Sequence, residues 1–324
     1  VGVIGVGTMG AHHARAYDAL GGLCELHGVH DPDHQRARAV AERFGTRAYP
    51  DLAALLDEVE AVSIASPTAL HVEHALAAIE RGVDVLVEKP VALSASEALR
   101  LQAVAAALPR TPIVQVGHIE HFNPAVGELR KLLAGEDLVA LDVQRLGPFD
   151  GRDTGMDVVQ DLMLHDIHVL LSFTDAPLRD VHAAGRRLRS PDHEDYAVAT
   201  LVFADGVIAT LAASRVTEEK IRRLTASTAS AHVTVDYLRR TIEVSRWGRL
   251  SGHPEDAQTY RQESVVERIF VPLEEPLAAQ LRSFLGCVRE RTAPEVGLGT
   301  ALRCLDVVEA VREAASASRR AVAA

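Results

Sequence analysis

Gly5, Gly7 and Gly10 follow the apolar run VGVIGV and lead directly into AHHARAYDAL, so a buried strand turns into a helix across a glycine corner. In a βαβ unit each glycine has a separate task. The first permits the tight turn, the second lets a pyrophosphate approach the backbone, and the third lets helix and strand pack closely. Unpaired N–H groups at the helix start then receive negative charge. A lone GxGxxG means little, but this one opens a βαβ pattern and is followed about twenty residues on by an acid, Asp31, at the end of the next apolar segment. The loop residues Thr8 and Met9 share the corner and join Gly5, Gly7 and Gly10 as candidate dinucleotide contacts.

The pattern then repeats. Apolar segments at 23–29, 61–65, 83–87 and 113–116 alternate with helical stretches at 33–44, 68–80 and 94–108. Continuously apolar strands separated by amphipathic helices belong in a parallel sheet covered on both faces, which predicts a doubly wound first domain over 1–118. A second α/β domain is expected over 119–324, with an open, largely antiparallel sheet. Its helices fall at 125–134 and 158–172 and its strands at 139–145, 181–188, 196–203, 207–214, 222–226, 231–237, 241–245 and 263–270. LVFADGVIAT reads as a hairpin in which Asp205 and Gly206 both take positive φ. Closing helices at 276–291 and 300–315 support the domain junction in this reading, and the tail SASRRAVAA frays.

Composition excludes several classes. The chain has 324 residues, a formal net charge of −11 with acidic and basic residues mixed, and three dispersed cysteines, Cys24, Cys287 and Cys304. Neither a nucleic-acid footprint nor a disulfide scaffold nor a CxxC metal site is present. There is no apolar run of bilayer length and no basic-then-apolar leader, so a cytoplasmic protein without membrane partners is expected.

Asp31 can accept from adenosine ribose hydroxyls and would repel a 2′-phosphate, so NAD is expected over NADP. Arg36 and nearby histidines keep NADP open, and a plain helix-capping role for Asp31 stays open too. Ser66, Pro67 and Thr68 lie where cofactor loops gather, although a turn and N-cap would also explain them. His71 follows one helical turn later, a further cofactor-binding candidate or simply a surface histidine. Glu88, Lys89 and Pro90 end the VLV strand on the same edge as the glycine corner, which brings Glu88 and Lys89 toward the nicotinamide end.

Asp161 and His165 are four apart, on one face of the expected 158–172 helix. Oxidation of a secondary alcohol needs a proton acceptor near neutrality and a cation beside the developing alkoxide. His165 is assigned as base and Lys89 as electrostatic partner, with Asp161 contacting substrate or orienting the pair; Lys89 as the proton acceptor remains an alternative. Asp161, His165 and His168 also admit a zinc reading, but no metal is assigned. His118 and Asn123, at the hand-over to the second domain, are further substrate-binding candidates beside Asp161 and His165.

The chain resembles the Gfo/Idh/MocA oxidoreductases in VGVIGVGTMGAHHARAY, GVHDPDHQRA, SIASPTALHVEHALAAIERGVDVLVEKP and DLMLHDIHVLLSF. The resemblance implies a Rossmann domain plus an open-sheet α/β domain, often the oligomer contact of a homodimer or homotetramer. It also implies NAD(P)-dependent redox chemistry on a sugar, cyclitol or sugar derivative, with the catalytic lysine on Lys89 and the aspartate and histidine on Asp161 and His165. VGHIEHFNPAV, RLGPF and the basic residues of KIRRL look like the branch acting on nucleotide sugars at carbon 3. That branch commonly has arginine at the position of His121 and aspartate at that of His168. A cyclitol dehydrogenase and a non-catalytic NAD-binding regulator are the competing expectations.

Overall fold

In the computed structural model, which describes residues 1–149, 151, 155–252 and 260–323, the elements follow a consistent chain order. β1 (Gly2–Ile4), α1 (Thr8–Ala19), β2 (Gly28–His30), α2 (His34–Phe44), β3 (Arg47–Tyr49) and α3 (Leu52–Leu56) come first. β4 (Ala61–Ile64), α4 (His71–Ile79), β5 (Asp84–Glu88), α5 (Ala95–Ala107) and β6 (Val114–Gly117) complete the first sheet. Then come α6 (Pro124–Leu133), β7 (Leu138–Leu146), α7 (Leu164–Leu170), β8 (Leu178–Arg186), β9 (Tyr196–Phe203) and β10 (Ile208–Ser214). β11 (Ile221–Thr228), β12 (Ala231–Asp236), β13 (Thr241–Gly252), β14 (Tyr260–Ile269), α8 (Pro276–Glu290) and α9 (Leu298–Ala323) end the chain.

These elements form two compact units, Val1–Asn123 with Glu274–Asp306 and Pro124–Leu273 with Val307–Ala324. The first thus gathers α8 and the start of α9 from far along the chain. Its sheet is parallel throughout, in the order β3-β2-β1-β4-β5-β6. The order reverses between β1 and β4, so a crevice opens beyond their carboxyl ends, where doubly wound folds hold ligands. Val3, Val29, Val62, Val85 and Val116 are fully buried within the sheet. Leu277, Leu281 and Phe284 of α8 join Ala14 and Tyr17 of α1 in one apolar cluster. The Tyr17 hydroxyl is satisfied by Ser63 Oγ at 2.8 Å, and burial raises its pKa.

β3 and α3 are the elements that the apolar pattern does not announce. Arg47 and Ala48 are exposed and Tyr49 is half-buried on this short edge strand, so no apolar run marks it.

The second unit is an eight-stranded sheet in the order β14-β13-β12-β11-β7-β10-β9-β8, antiparallel except for the pair β7 and β10. Buried Leu141, Val143 and Arg145 alternate with outward Asp142 and Gln144 on β7, so one face is covered and the other open. The hairpin between β9 and β10 is present but differs from the sequence expectation in its turn. Gly206 alone takes positive φ, at 94°, and the Phe203 N–H bonds the Val207 carbonyl across three loop residues. A three-residue loop requires one left-handed position, not two. Asp205 instead accepts from the Val207 N–H at 3.1 Å.

α9 continues as helix to Ala323, through the tail expected to fray. Among the described residues no helix is long and apolar enough to cross a membrane.

Candidate active site

The first unit turns from strand to helix through a glycine corner. Gly5 sits at φ 78°, its N–H bonding the His30 carbonyl at 2.8 Å while the Ala65 N–H bonds Ile4. A Cβ on Gly5 would stand 2.7 Å from the Ser66 backbone, and one on Gly10 only 1.8 Å from the Gly5 carbonyl oxygen. Both glycines are therefore demanded by packing. Gly7 is different, because a Cβ there would meet nothing within 4 Å. It borders open space, beside the first turn of α1, which has no side-chain cap and no acidic residue. Thr8 and Met9 begin that turn, with Met9 exposed. Free amides next to room for a phosphate fit the pyrophosphate of a dinucleotide.

Asp31 is buried at the end of β2. One carboxylate oxygen accepts from the Val6 N–H at 2.8 Å and the other from the Asp33 N–H at 2.9 Å. Arg36 approaches both at 3.4 Å. The cap of α2 is Asp33, which accepts from Gln35 and Arg36. Asp31 is thus a braced acidic acceptor beside the glycine loop and not the helix cap.

Ser66 Oγ pairs with His74 Nδ1 at 3.0 Å, and the residues after Pro67 form a 3-10 turn, Thr68–Leu70, before α4 begins at His71. No side chain caps that turn, so the N-cap expectation for this loop fails; the Leu70 N–H bonds the Pro67 carbonyl instead. His71 is buried with Nδ1 2.8 Å from the Pro90 carbonyl and Nε2 2.8 Å from the Ser66 carbonyl. Both ring nitrogens face backbone oxygens, so His71 ties the loop at Ser66 to the loop at Pro90. Burial is the larger influence on it and lowers its pKa, against the opposing pull of the two carbonyls.

Glu88 ends β5, and Lys89 and Pro90 follow through a cis peptide. One Glu88 oxygen lies 2.9 Å from His13 Nε2 and the other accepts from the Lys89 N–H at 3.3 Å. The sequence reading missed His13. It belongs to the buried stripe of α1 with Gly10, Ala14 and Tyr17, a helical spacing that reads as core. A histidine among small apolar residues on that stripe was the available signal.

Beyond β6, His118 is buried, and the Asn123 side-chain amide donates to Glu120 at 2.9 Å. His121 Nε2 lies 2.9 Å from Glu295.

In the second unit the helix bearing Asp161 and His165 departs from the ideal α form. Asp157 starts it by accepting from the Val159 and Gln160 N–H groups, and Val159–Met163 then forms a π-helical turn before α7. The helix expected over 158–172 is thus π-helical at Asp161 and α-helical at His165. Such turns often occur at functional sites. Asp161 and His165 are half-buried, whereas His168 is fully buried. Burial therefore sets His168 apart from the other two members of the zinc reading. Arg145 on β7 grips Asp166 on α7 through two bonds, 2.8 Å from Nε and 2.7 Å from the other guanidinium nitrogen, both side chains buried. That bidentate pair pins to the sheet the helix carrying His165.

A dinucleotide cradle in one unit, and a titratable pair on a sheet-pinned helix in the other, define the class of two-domain nicotinamide-dependent oxidoreductases. Residues 1–118 match the oxidoreductase family with an NAD-binding Rossmann fold, and residues 142–234 match the GFO/IDH/MocA C-terminal domain. The chain belongs to the Gfo/Idh/MocA oxidoreductases and is an NAD(P)-linked dehydrogenase acting on CH–OH groups. It is 37% identical over 287 residues to the UDP-N-acetylglucosamine 3-dehydrogenase of Acidithiobacillus ferrooxidans, covering 89% of this chain and 88% of that protein. A solved structure of that enzyme superposes with a TM-score of 0.88 at 34% identity, over 98% of this chain and 97% of the other. An inositol 2-dehydrogenase of Acidothermus cellulolyticus is 33% identical over 64% of each chain. The myo-inositol 2-dehydrogenase structure from Lactobacillus plantarum, with a TM-score of 0.79 at 20% identity over 98% of this chain and 97% of that one, shares the fold.

Proposed function

We propose that the protein transfers hydride reversibly between NAD and a secondary hydroxyl of a nucleotide sugar. The observation that carries the substrate class is the likeness to a UDP-N-acetylglucosamine 3-dehydrogenase over nearly the whole of both chains. The inositol 2-dehydrogenase likeness favours a cyclitol as the second reading and covers less of the chain.

NAD supplies the two-electron acceptor for the carbinol hydrogen. The chain's own residues do the rest. Gly7 and the first amides of α1 would hold the pyrophosphate, together with Thr8, Met9, Ser66, Pro67 and Thr68, and Asp31 would take the ribose hydroxyls, which favours NAD over NADP. His165 accepts the hydroxyl proton as the C–O bond gains carbonyl character, and the Lys89 ammonium stabilises the oxygen while it carries negative charge. Asp161 orients this acid-base pair, and His118 and Asn123 hold substrate hydroxyls. Copies of the chain associate as a dimer or tetramer through the open face of the eight-stranded sheet, where Val198 and Ile208 are exposed, and the enzyme works in the cytoplasm.

The test is a comparison of UDP-sugars, free sugars and inositol, followed by nicotinamide absorbance. His165→Ala and Lys89→Ala are expected to lose on the order of 10²–10⁴-fold in kcat while binding NADH normally. Turnover of a substrate by both variants at the wild-type rate would refute the assignment, and preference for inositol would move the substrate to the second reading.

A further inference from the structure

We propose that His13 is a positioning residue for Lys89, acting through the Glu88 carboxylate. The proposal rests on the catalytic reading of Lys89 given above. Lys89 follows the last residue of β5, so the direction of its side chain is set by the backbone on either side of it. Both neighbours are held by buried histidines. On one side, His13 from α1 meets Glu88 Oε1 at 2.9 Å, and Glu88 Oε2 receives the N–H of Lys89 itself at 3.3 Å. On the other, His71 from α4 holds the Pro90 carbonyl at 2.8 Å.

Glu88 has little freedom to satisfy itself elsewhere. It is 8% exposed, and β6 closes on it so tightly that a Cβ on Gly117 would stand 2.7 Å from Oε1. Among the described residues, His13 is the one side chain that donates to this carboxylate. A buried carboxylate deprived of a donor bears the whole desolvation penalty, so it turns to another partner or takes up a proton. Either response withdraws the acceptor from the Lys89 N–H and moves the segment that carries the lysine.

The state of His13 follows from its other nitrogen. Nδ1 is buried with no hydrogen-bond partner. An orphaned lone pair there costs less than an orphaned N–H, which places the donated proton on Nε2, facing Glu88. A plain helix-to-sheet fastening would be served equally well by apolar side chains. A donor aimed at the residue before Lys89 serves a narrower purpose.

The chain has three lysines, Lys89, Lys131 and Lys220. Reductive methylation with ¹³C-formaldehyde therefore gives three dimethyl-lysine NMR signals, assigned by Lys131→Arg and Lys220→Arg. His13→Leu is expected to move the Lys89 signal alone, in the free and the NAD-loaded protein. His13→Gln, whose amide can donate from nearly the same place, is expected to return that signal toward its wild-type position. In the unmethylated enzyme, His13→Leu should lower kcat by roughly 10–100-fold, with KM for NAD within about threefold of wild type and most turnover regained in His13→Gln. If His13→Leu does not fold, His13→Met replaces it.

An unmoved Lys89 signal, a common shift of all three signals, or a His13→Gln variant no better than His13→Leu would overturn the proposal. The spectra need no substrate. Absence of sugar turnover in the wild type would count against the functional reading and leave the positioning result standing.

Discussion

Replacing Gly7 and Gly10 separately by alanine tests the cofactor cradle, because the two positions differ in what a methyl group would meet. At Gly10 the added carbon would stand 1.8 Å from the Gly5 carbonyl oxygen. Comfortable C···O contact begins at about 3.3 Å, so α1 must retreat from β1 by about 1.5 Å. Overpacking of this kind costs about 1–3 kcal/mol or more, and it falls on the sheet's central strand. Gly10→Ala should therefore melt at clearly lower temperature even without cofactor. At Gly7 the methyl enters open space, and its φ of −64° suits alanine. A poorer N-cap and a less flexible unfolded chain offset each other, leaving the cofactor-free stability within about 1 kcal/mol of wild type. The same methyl occupies the room assigned to the pyrophosphate. An overlap worth about 1–3 kcal/mol corresponds to a Kd for NADH raised roughly 5–150-fold. Thermal melts without cofactor and fluorescence titration with NADH measure the two effects independently. A Gly7→Ala protein that binds NADH as tightly as wild type would refute the cradle, as would a Gly10→Ala protein of undiminished stability.

Asp31→Ser should weaken NADH binding by roughly 10–100-fold and narrow the preference for NAD over NADP, read from paired titrations; an unchanged ratio would count against the ribose role. Because burial lowers the pKa of His71, the unfolded chain takes up a proton near pH 6.5 that the folded ring refuses. Stability is therefore full above about pH 6.5 and lost as pH falls through that window toward the lowered folded value. His74, also lowered by burial, adds in the same direction. Melts across this range should show the loss, and His71→Asn should flatten it. Arg145→Met leaves Asp166 as a buried charge without its guanidinium and should cost about 3–5 kcal/mol by denaturant unfolding, with much of it regained in the double variant Arg145→Met with Asp166→Leu.

The glycine corner was legible because backbone needs are written in residue type. Gly5 and Gly10 are where another residue collides, and those collisions lie within a few residues or across one strand pair. Most apolar strands of the parallel sheet were legible for a similar reason, since burial on both faces leaves no alternation to misread, while the segment expected at 23–29 becomes strand only at Gly28–His30. Arg47, Ala48 and Tyr49 escaped because that edge strand is short and largely exposed, unlike the buried β6 at the opposite edge. The π turn over Val159–Met163 escaped because periodicity reports that a helix is present and does not report where its hydrogen bonds change step. His13 was hidden by the helical stripe it occupies, and the union of Arg145 with Asp166 by their separation of 21 positions along the chain. Partners across elements are properties of packing, and a single chain read in order does not reveal which of its charges meet.

The division of the chain places a demand on its synthesis. The first unit is interrupted at Asn123 and resumes at Glu274, and Leu281 and Phe284 from that late return complete the apolar cluster around Tyr17. A ribosome making this protein releases α1 with part of its covering still to be translated, and the intervening strands emerge before it arrives. Neither unit can be excised as one continuous stretch, so a fragment ending at Asn123 is expected to expose the Tyr17 surface and aggregate.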